Sequence, residues 1–276
     1  MAKIITIGLV VIMLVVGFVV GLMASPFLLP QSDSSTDTVW ANIQDTGVIR
    51  VGTDPTWPPY QMVDENNKIV GFEVDIANEC ADRLGLTIEW NDVSFDSIIL
   101  SVQQGTLDMG VSGFSITAER LDQVSFTVPH STTEGQVVML KSTMDAKGIT
   151  TVDSLEDFKT LGITVGVQSG NVQQQELQDA GVAIATWSGS DEPFQDLVSA
   201  NPSVDAVYAE TPITTNWIAE FESDGIEASA VYSHPYYPVA FLVGKNSNTL
   251  LDKINGALTD LIYDGTVDQL KAEWHA

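Results

Sequence analysis

From Val48 onward the chain alternates short apolar runs with amphipathic stretches. Apolar runs at 48–52, 87–90, 109–111, 137–140, 164–167, 182–186, 206–208 and 239–243 predict strands. Apolar positions spaced three and four apart predict helices over 72–84, 95–104, 118–124, 172–179, 193–199, 212–221, 250–263 and 267–274. Asp264-Gly265 stops the penultimate helix, and Thr266 is placed to cap the last. Strands that alternate with helices define an α/β protein with largely parallel sheets. Two extended runs, 134–141 and 236–243, are long enough to cross between two lobes. The region 136–235 would then be inserted into a lobe made of 47–135 plus 236–276.

The amino terminus follows another pattern. Residues 4–23 are apolar or Gly except for Thr6, and Lys3 is the only charge before them. Twenty helical residues at ~1.5 Å each span ~30 Å, one bilayer core. An uncleaved transmembrane anchor over 1–23 is therefore expected, with a cytoplasmic amino terminus and the remainder outside. The rival is a cleaved signal peptide, for which Leu22-Met23-Ala24 is a poor small-x-small site. Either reading exports the rest. Residues 24–46, with Pro26, Pro30 and a Ser/Thr/Asp run, predict a flexible stalk.

Charge narrows the partners. With 37 Asp+Glu against 11 Lys+Arg, the net charge of −26 excludes a nucleic-acid face and docking on anionic lipid. It suits an exported, soluble domain. The single cysteine, Cys80, precludes an intrachain disulfide. It shares a helical face with Ile76, Ala77, Ala81 and Leu84, the setting of a buried structural thiol.

Little in the chain suggests catalysis. His130, His234 and His275 are scattered and lack metal-ligand spacing, so neither a metal site nor a cofactor is expected. Gly-x-Ser-x-Gly, a phosphate loop and Gly-x-Gly-x-x-Gly are absent. Binding chemistry centres on Arg120, one of three arginines, where an apolar strand runs through Ser112, Gly113 and Ser115 into a helix beginning near Thr117. A planar cation beside hydroxyls and backbone amides suits a carboxylate. The alternative is that Arg120 bridges Glu119 or Asp122.

Five segments recur in order: Val51-Gly-Thr-Asp-Pro-Thr-Trp-Pro-Pro-Tyr60, Gly71-Phe-Glu-Val-Asp-Ile76, the Arg120 run, Val165-Gly-Val-Gln-Ser-Gly-Asn171 and Val204-Asp-Ala-Val-Tyr-Ala-Glu-Thr-Pro212. Together they resemble the periplasmic-type solute-binding proteins for polar amino acids (family 3), the receptors of ABC importers, over about 48–274. The resemblance implies a type II periplasmic binding protein fold, in which two α/β lobes joined by two hinge strands close on a ligand. It implies a free amino acid as ligand, and permease and ATPase subunits as partners.

Residue by residue, the resemblance makes Arg120 the partner of the ligand α-carboxylate. Ser112 and Ser115 supply hydroxyls, and Gly113 backbone. Glu210, where the family usually has Asp, faces the α-ammonium. Val172 stands where Thr is common and leaves only its amide, beside that of Asn171. Trp57 and Phe95 match two aromatics that sandwich the ligand side chain; Trp57, in a Pro-rich turn, is oddly placed for core. Asp54 caps the turn or reaches the ligand side chain, and Gln168 lies where selectivity is often set. Val128-Pro-His-Ser131 replaces the more usual Asp-Pro-Tyr-Tyr near the first crossing.

Two aromatic faces and an acid favour a cationic side chain, arginine or lysine, ahead of glutamine or another neutral polar one. A glutamate-type side chain would lack a second cation. Two other functions fit the same scaffold. One is a cyclohexadienyl dehydratase-like enzyme using Glu210 or another cleft acid. The other is a sensor module reporting ligand occupancy to a membrane partner.

Overall fold

The computed structural model describes residues 38–150, 152–211 and 213–276, without the side chains of Pro235 and Tyr236. The anchor expected over 1–23 and most of the stalk lie outside the described residues. Among the described residues no helix is long and apolar enough to cross a membrane.

In chain order the elements are α1 (Thr38–Thr46), β1 (Val48–Thr53), β2 (Thr56–Trp57), β3 (Gln61–Val63), β4 (Ile69–Val70), α2 (Phe72–Arg83), β5 (Thr87–Asp92), α3 (Phe95–Gln103), β6 (Met109–Gly110), α4 (Ala118–Gln123) and β7 (Val124–Phe126). Next come β8 (Ser131–Leu140), α5 (Lys141–Lys147), α6 (Leu155–Thr160), β9 (Thr164–Gln168), α7 (Val172–Ala180), β10 (Ala183–Trp187), α8 (Glu192–Leu197) and β11 (Ala206–Glu210). The chain ends with α9 (Ile213–Ser223), β12 (Ala228–Val239), β13 (Leu242–Gly244), α10 (Asn248–Tyr263) and α11 (Thr266–Trp274).

The strands form two five-stranded mixed sheets, β5-β1-β6-β13-β7 and β10-β9-β11-β8-β12, and a small β2-β3-β4 sheet. In the first, β1 runs parallel to β5 and β6, while β13 is antiparallel to β6 and β7. In the second, β9 is parallel to β10 and β11, while β8 is antiparallel to β11 and β12. The chain passes from first sheet to second between β7 and β8 and returns between β12 and β13. The apolar run at 239–243 is thus two strands: Val239 pairs with Ser131 in the second sheet, and Leu242 with Gly110 in the first. The result is the two-lobed α/β fold.

Helical faces cover the first sheet. Ile76, Ala77, Cys80 and Ala81 of α2 meet Leu250, Ile254, Ala257, Leu258 and Leu261 of α10 over Ile49, Val51, Met109 and Val243. Each such Ile or Leu contributes about 1.5–3 kcal/mol on burial. The Cys80 thiol is buried here, and that burial raises its pKa to about 12, as a structural cysteine requires. The second sheet has its own core, in which Val137, Val165, Val167 and Tyr208 pack on Phe158 and Leu177.

Two local expectations need correction. The stalk does not continue to Thr46: Val39, Trp40 and Ile43 give Thr38–Thr46 an apolar face that packs on the core, with Ile43 fully buried. Nor does Thr266 cap α11. Gly265 holds that position, and Asp264 Oδ1 accepts the Thr266 amide (3.0 Å) and hydroxyl (2.6 Å).

Candidate functional site

The carboxyl ends of β1, β6, β9 and β11 converge where the two sheets face each other, the usual ligand position in such folds. There a narrow cavity is lined by Asp54, Trp57, Phe95, Ser112, Gly113, Arg120, Gln168, Asn171 and Glu210. Nine of the sequence-predicted residues are thereby brought together. Val172 lies instead on an adjoining groove that shares Arg120 and Asn171. Ser115 lies behind the wall with its hydroxyl buried and without a partner among the described residues.

Arg120 begins its helix with an amide held by Thr117 Oγ1 (3.2 Å). Its side chain is 7% exposed, and its bonds go to carbonyls: Nη1 donates to Ser115 O (2.9 Å) and Nη2 to Gly170 O (3.1 Å). Its Cζ stands 5.4 Å from the ring centres of both Phe95 and Phe114, which stack on each other at 4.6 Å. Burial pushes its pKa down to about 10, against the pull of Glu210 and Glu119, so it stays charged at neutral pH. A buried cation whose bonds go to neutral carbonyls favours an incoming anion.

Across the cavity, Glu210 ends β11. Burial raises its pKa to about 7, with Gln173 and Arg120 opposing the rise. Glu210 as a residue is only partly covered.

Asp54 is 5% exposed and already has three donors. Thr56 Oγ1 donates to Oδ1 (2.8 Å), while the Phe95 amide (3.2 Å) and Gln168 Nε2 (2.9 Å) donate to Oδ2. Burial still raises its pKa to about 6. Asp54 thus holds the first amide of α3 and also lines the cavity. Gln168 Nε2 also donates to Ser188 O (3.0 Å), leaving Oε1 as the acceptor Gln168 can offer a ligand.

Gly113 contributes by what it lacks. Its φ is +63°, and a Cβ would lie 2.1 Å from the Trp57 ring. Its amide is not available to a ligand, because it donates to Glu73 Oε2 (2.8 Å). Glu73, fully buried, also accepts from Gln61 Nε2, and its Oε1 is 2.7 Å from His130 Nε2. This Gln61–Glu73–His130 group escaped sequence reasoning: Glu73 read as a helix residue, and His130 as scattered. The Val128-Pro-His-Ser131 departure therefore has a structural use, turning His130 inward before β8.

Contacts bridging the two sheets were also missed. Ser190 N donates to Thr56 Oγ1 (2.9 Å), and Ser190 Oγ bonds Thr56 O. A Cβ on Gly170, at φ +79°, would meet Asp96 Cβ at 2.8 Å. Asn171 caps α7 by accepting the Gln174 amide (2.8 Å). Among the described residues no group of His, Cys, Asp and Glu is arranged to hold a metal ion.

The fold and cleft define a two-lobed binding protein whose site offers one buried cation and a buried acid on one side and a partly covered acid on the other. The chain belongs to the bacterial extracellular solute-binding proteins, family 3, whose model matches residues 49–276. It is 28% identical over 230 residues to ABC transporter arginine-binding protein 1 of Escherichia coli (strain K12), covering 82% of this chain and 90% of that one. A solved ancestral arginine-binding protein bound to arginine is similar at TM-score 0.74 and 35% identity, over 83% of this chain and 99% of that one. So is an ancestral amino acid-binding protein described as a precursor of cyclohexadienyl dehydratase, at TM-score 0.73 and 29% identity, over 86% and 99%.

Proposed function

We propose that this chain is an extracytoplasmic receptor that captures a cationic amino acid, L-arginine first and L-lysine next, by lobe closure. It delivers the ligand to the permease and ATPase subunits of an ABC importer. Arg120 holds the α-carboxylate, with Ser112 and the Asn171 amide beside it, and Glu210 holds the α-ammonium. The lobes are 47–135 plus 236–276 and 136–235, hinged where the chain crosses between sheets, and residues 4–23 tether the receptor to the membrane.

The observation that carries the ligand class is the set of acceptors offered by Asp54 and Gln168. A carboxylate has about four acceptor sites, and three donors already occupy those of Asp54. One site remains, beside Gln168 Oε1. These acceptors, near the faces of Trp57 and Phe95, suit a planar multi-donor cation and disfavour a carboxylate. The arginine-binding relatives support the same choice.

A dehydratase would find a general acid in Glu210, whose pKa of about 7 fits that role. Its substrates carry further carboxylates, however, and Arg120 is the only basic residue among those lining the cavity.

Calorimetry on ligand-stripped protein tests the proposal. Saturable heat is expected with L-arginine and none with L-glutamate. No heat with any amino acid, or consumption of prephenate or arogenate, would overturn it.

A further inference from the structure

Gln173, the second residue of α7, is fully buried, and neither its Nε2 nor its Oε1 makes a well-formed hydrogen bond among the described residues. Leaving a buried amide so poorly paired is costly, so such a group calls for a reason. Its neighbour is Glu210. The Gln173 amide acts on that carboxylate as a hydrogen-bond donor and holds its pKa down, though at a geometry too poor to count as a full hydrogen bond, so Oε1 is the end left without any partner.

Two more orphans flank the same wall. Thr133 Oγ1 and Ser115 Oγ are buried and have no partner among the described residues. Glu210 pairs with Gly135 in β8, so strand alternation places Thr133 on the face that carries Glu210. Thr133 pairs with Tyr237, and Val239, two residues on, bridges to Ser115. One turn along α7 from Gln173, Glu176 accepts from the hydroxyls of Tyr208 (2.7 Å) and Tyr237. That clamp ties α7 to β11 and β12 and keeps Gln173 beside Glu210.

We propose that Gln173 is a positioning residue that makes this wall specific for a free primary ammonium: its Nε2 donates to Glu210 and steers the carboxylate, while its Oε1 accepts one ammonium N–H. The inference rests on the amino-acid-receptor reading. It adds a selectivity at the α-nitrogen, for primary amines over Nα-alkylated ones. The groups that act electrostatically with Glu210 are Arg120, Glu176 and the hydroxyls of Tyr60 and Tyr237. With Gln173 removed, the carboxylate titrates higher and binding needs a higher pH.

The test titrates L-arginine and Nα-methyl-L-arginine into the wild-type protein and Gln173→Met, at several pH values, alongside melting curves. Wild type is expected to prefer L-arginine by about tenfold, the scale of one lost hydrogen bond to a charged group. In Gln173→Met that preference collapses, L-arginine binding weakens by about tenfold, the pH midpoint of binding rises, and the Tm of the ligand-stripped protein holds or rises. Equal affinity of the wild-type protein for both ligands overturns the proposal without any variant. So does a variant that loses Tm and affinity together while keeping the preference. If wild type binds no arginine, the receptor reading itself has failed, which is a different result.

Discussion

The two sides of the cavity hold their charges differently. On the first-sheet side the charged groups are well supplied with partners, although Gln61 Oε1, His130 Nδ1 and Ser115 Oγ are buried without one among the described residues. Asp54 has three donors, and Glu73 gathers Gly113, Gln61 and His130. Arg120 lies against two stacked rings with two carbonyls for partners. On the second-sheet side, Glu210 is desolvated enough to titrate near 7, and Gln173 is fully buried with no well-formed hydrogen bond among the described residues. One wall holds its charges among several donors and acceptors; the other leaves its acid with few. In a receptor that works by closure, such a difference ties ligand recognition to the energy of closing.

The largest effect should come from the first-sheet side. Arg120→Met removes the charge that receives a carboxylate and should cost about 4 kcal/mol, roughly a thousandfold in affinity for L-arginine by calorimetry. A loss under about tenfold would mean that the α-carboxylate sits elsewhere. Next is Glu210→Gln. The account expects roughly a hundredfold weaker binding together with a higher Tm for the ligand-stripped protein, since a desolvated charge has been removed. A lower Tm would mean that the second wall supports its acid as well as the first.

Gly113→Ala strikes the first wall itself. The new Cβ meets Trp57 at 2.1 Å in a left-handed backbone conformation, and the expected loss is about 2–3 kcal/mol of stability in denaturant unfolding.

pH distinguishes the walls more gently. Asp54 and Glu210 titrate at about 6 and about 7, above their ordinary values of 3.8 and 4.5. The folded protein therefore holds more protons than the unfolded chain across that interval. Their contribution to stability is fully present below about pH 4 and is lost as pH rises through 6 and 7. Unfolding of the ligand-stripped protein should become easier over this window, whereas L-arginine binding should tighten by up to about tenfold per pH unit as the acids ionise. A flat binding profile between pH 5 and 8 would remove both acids from the site. The smallest effect belongs to the bridging contacts: Ser190→Ala, which loses the hydroxyl bonded to Thr56 O, should weaken binding roughly fivefold without moving Tm.

How far the sequence alone reaches follows the same division. Strands and helices after Val48 were legible because hydrophobic period is a local property, and α2 with Cys80 on its inner face is an example. The short β2-β3-β4 sheet was not, since two- and three-residue strands carry no period. Helix α1 was hidden by the polar residues before it. Of the candidate site, the residues at strand ends were legible through ordered motifs, and the structure gathers most of them. Glu73, His130 and Gln173 were not. A polar residue at a buried helical position looks like any solvated one until the tertiary fold covers it, and residues 73 and 130 meet only through long-range packing. Val172 and Ser115 matched the motif yet stand off the cavity wall.

The central claim is that the cavity pairs a carboxylate on Arg120 with an ammonium on Glu210 and a cationic side chain at Asp54 and Gln168. Competitive calorimetry of L-arginine against L-citrulline, its neutral near-isostere, on ligand-stripped protein tests this most directly. The account predicts that arginine binds on the order of a hundredfold more tightly, as befits one charge-assisted contact. Equal affinities, or a preference for citrulline, would contradict it.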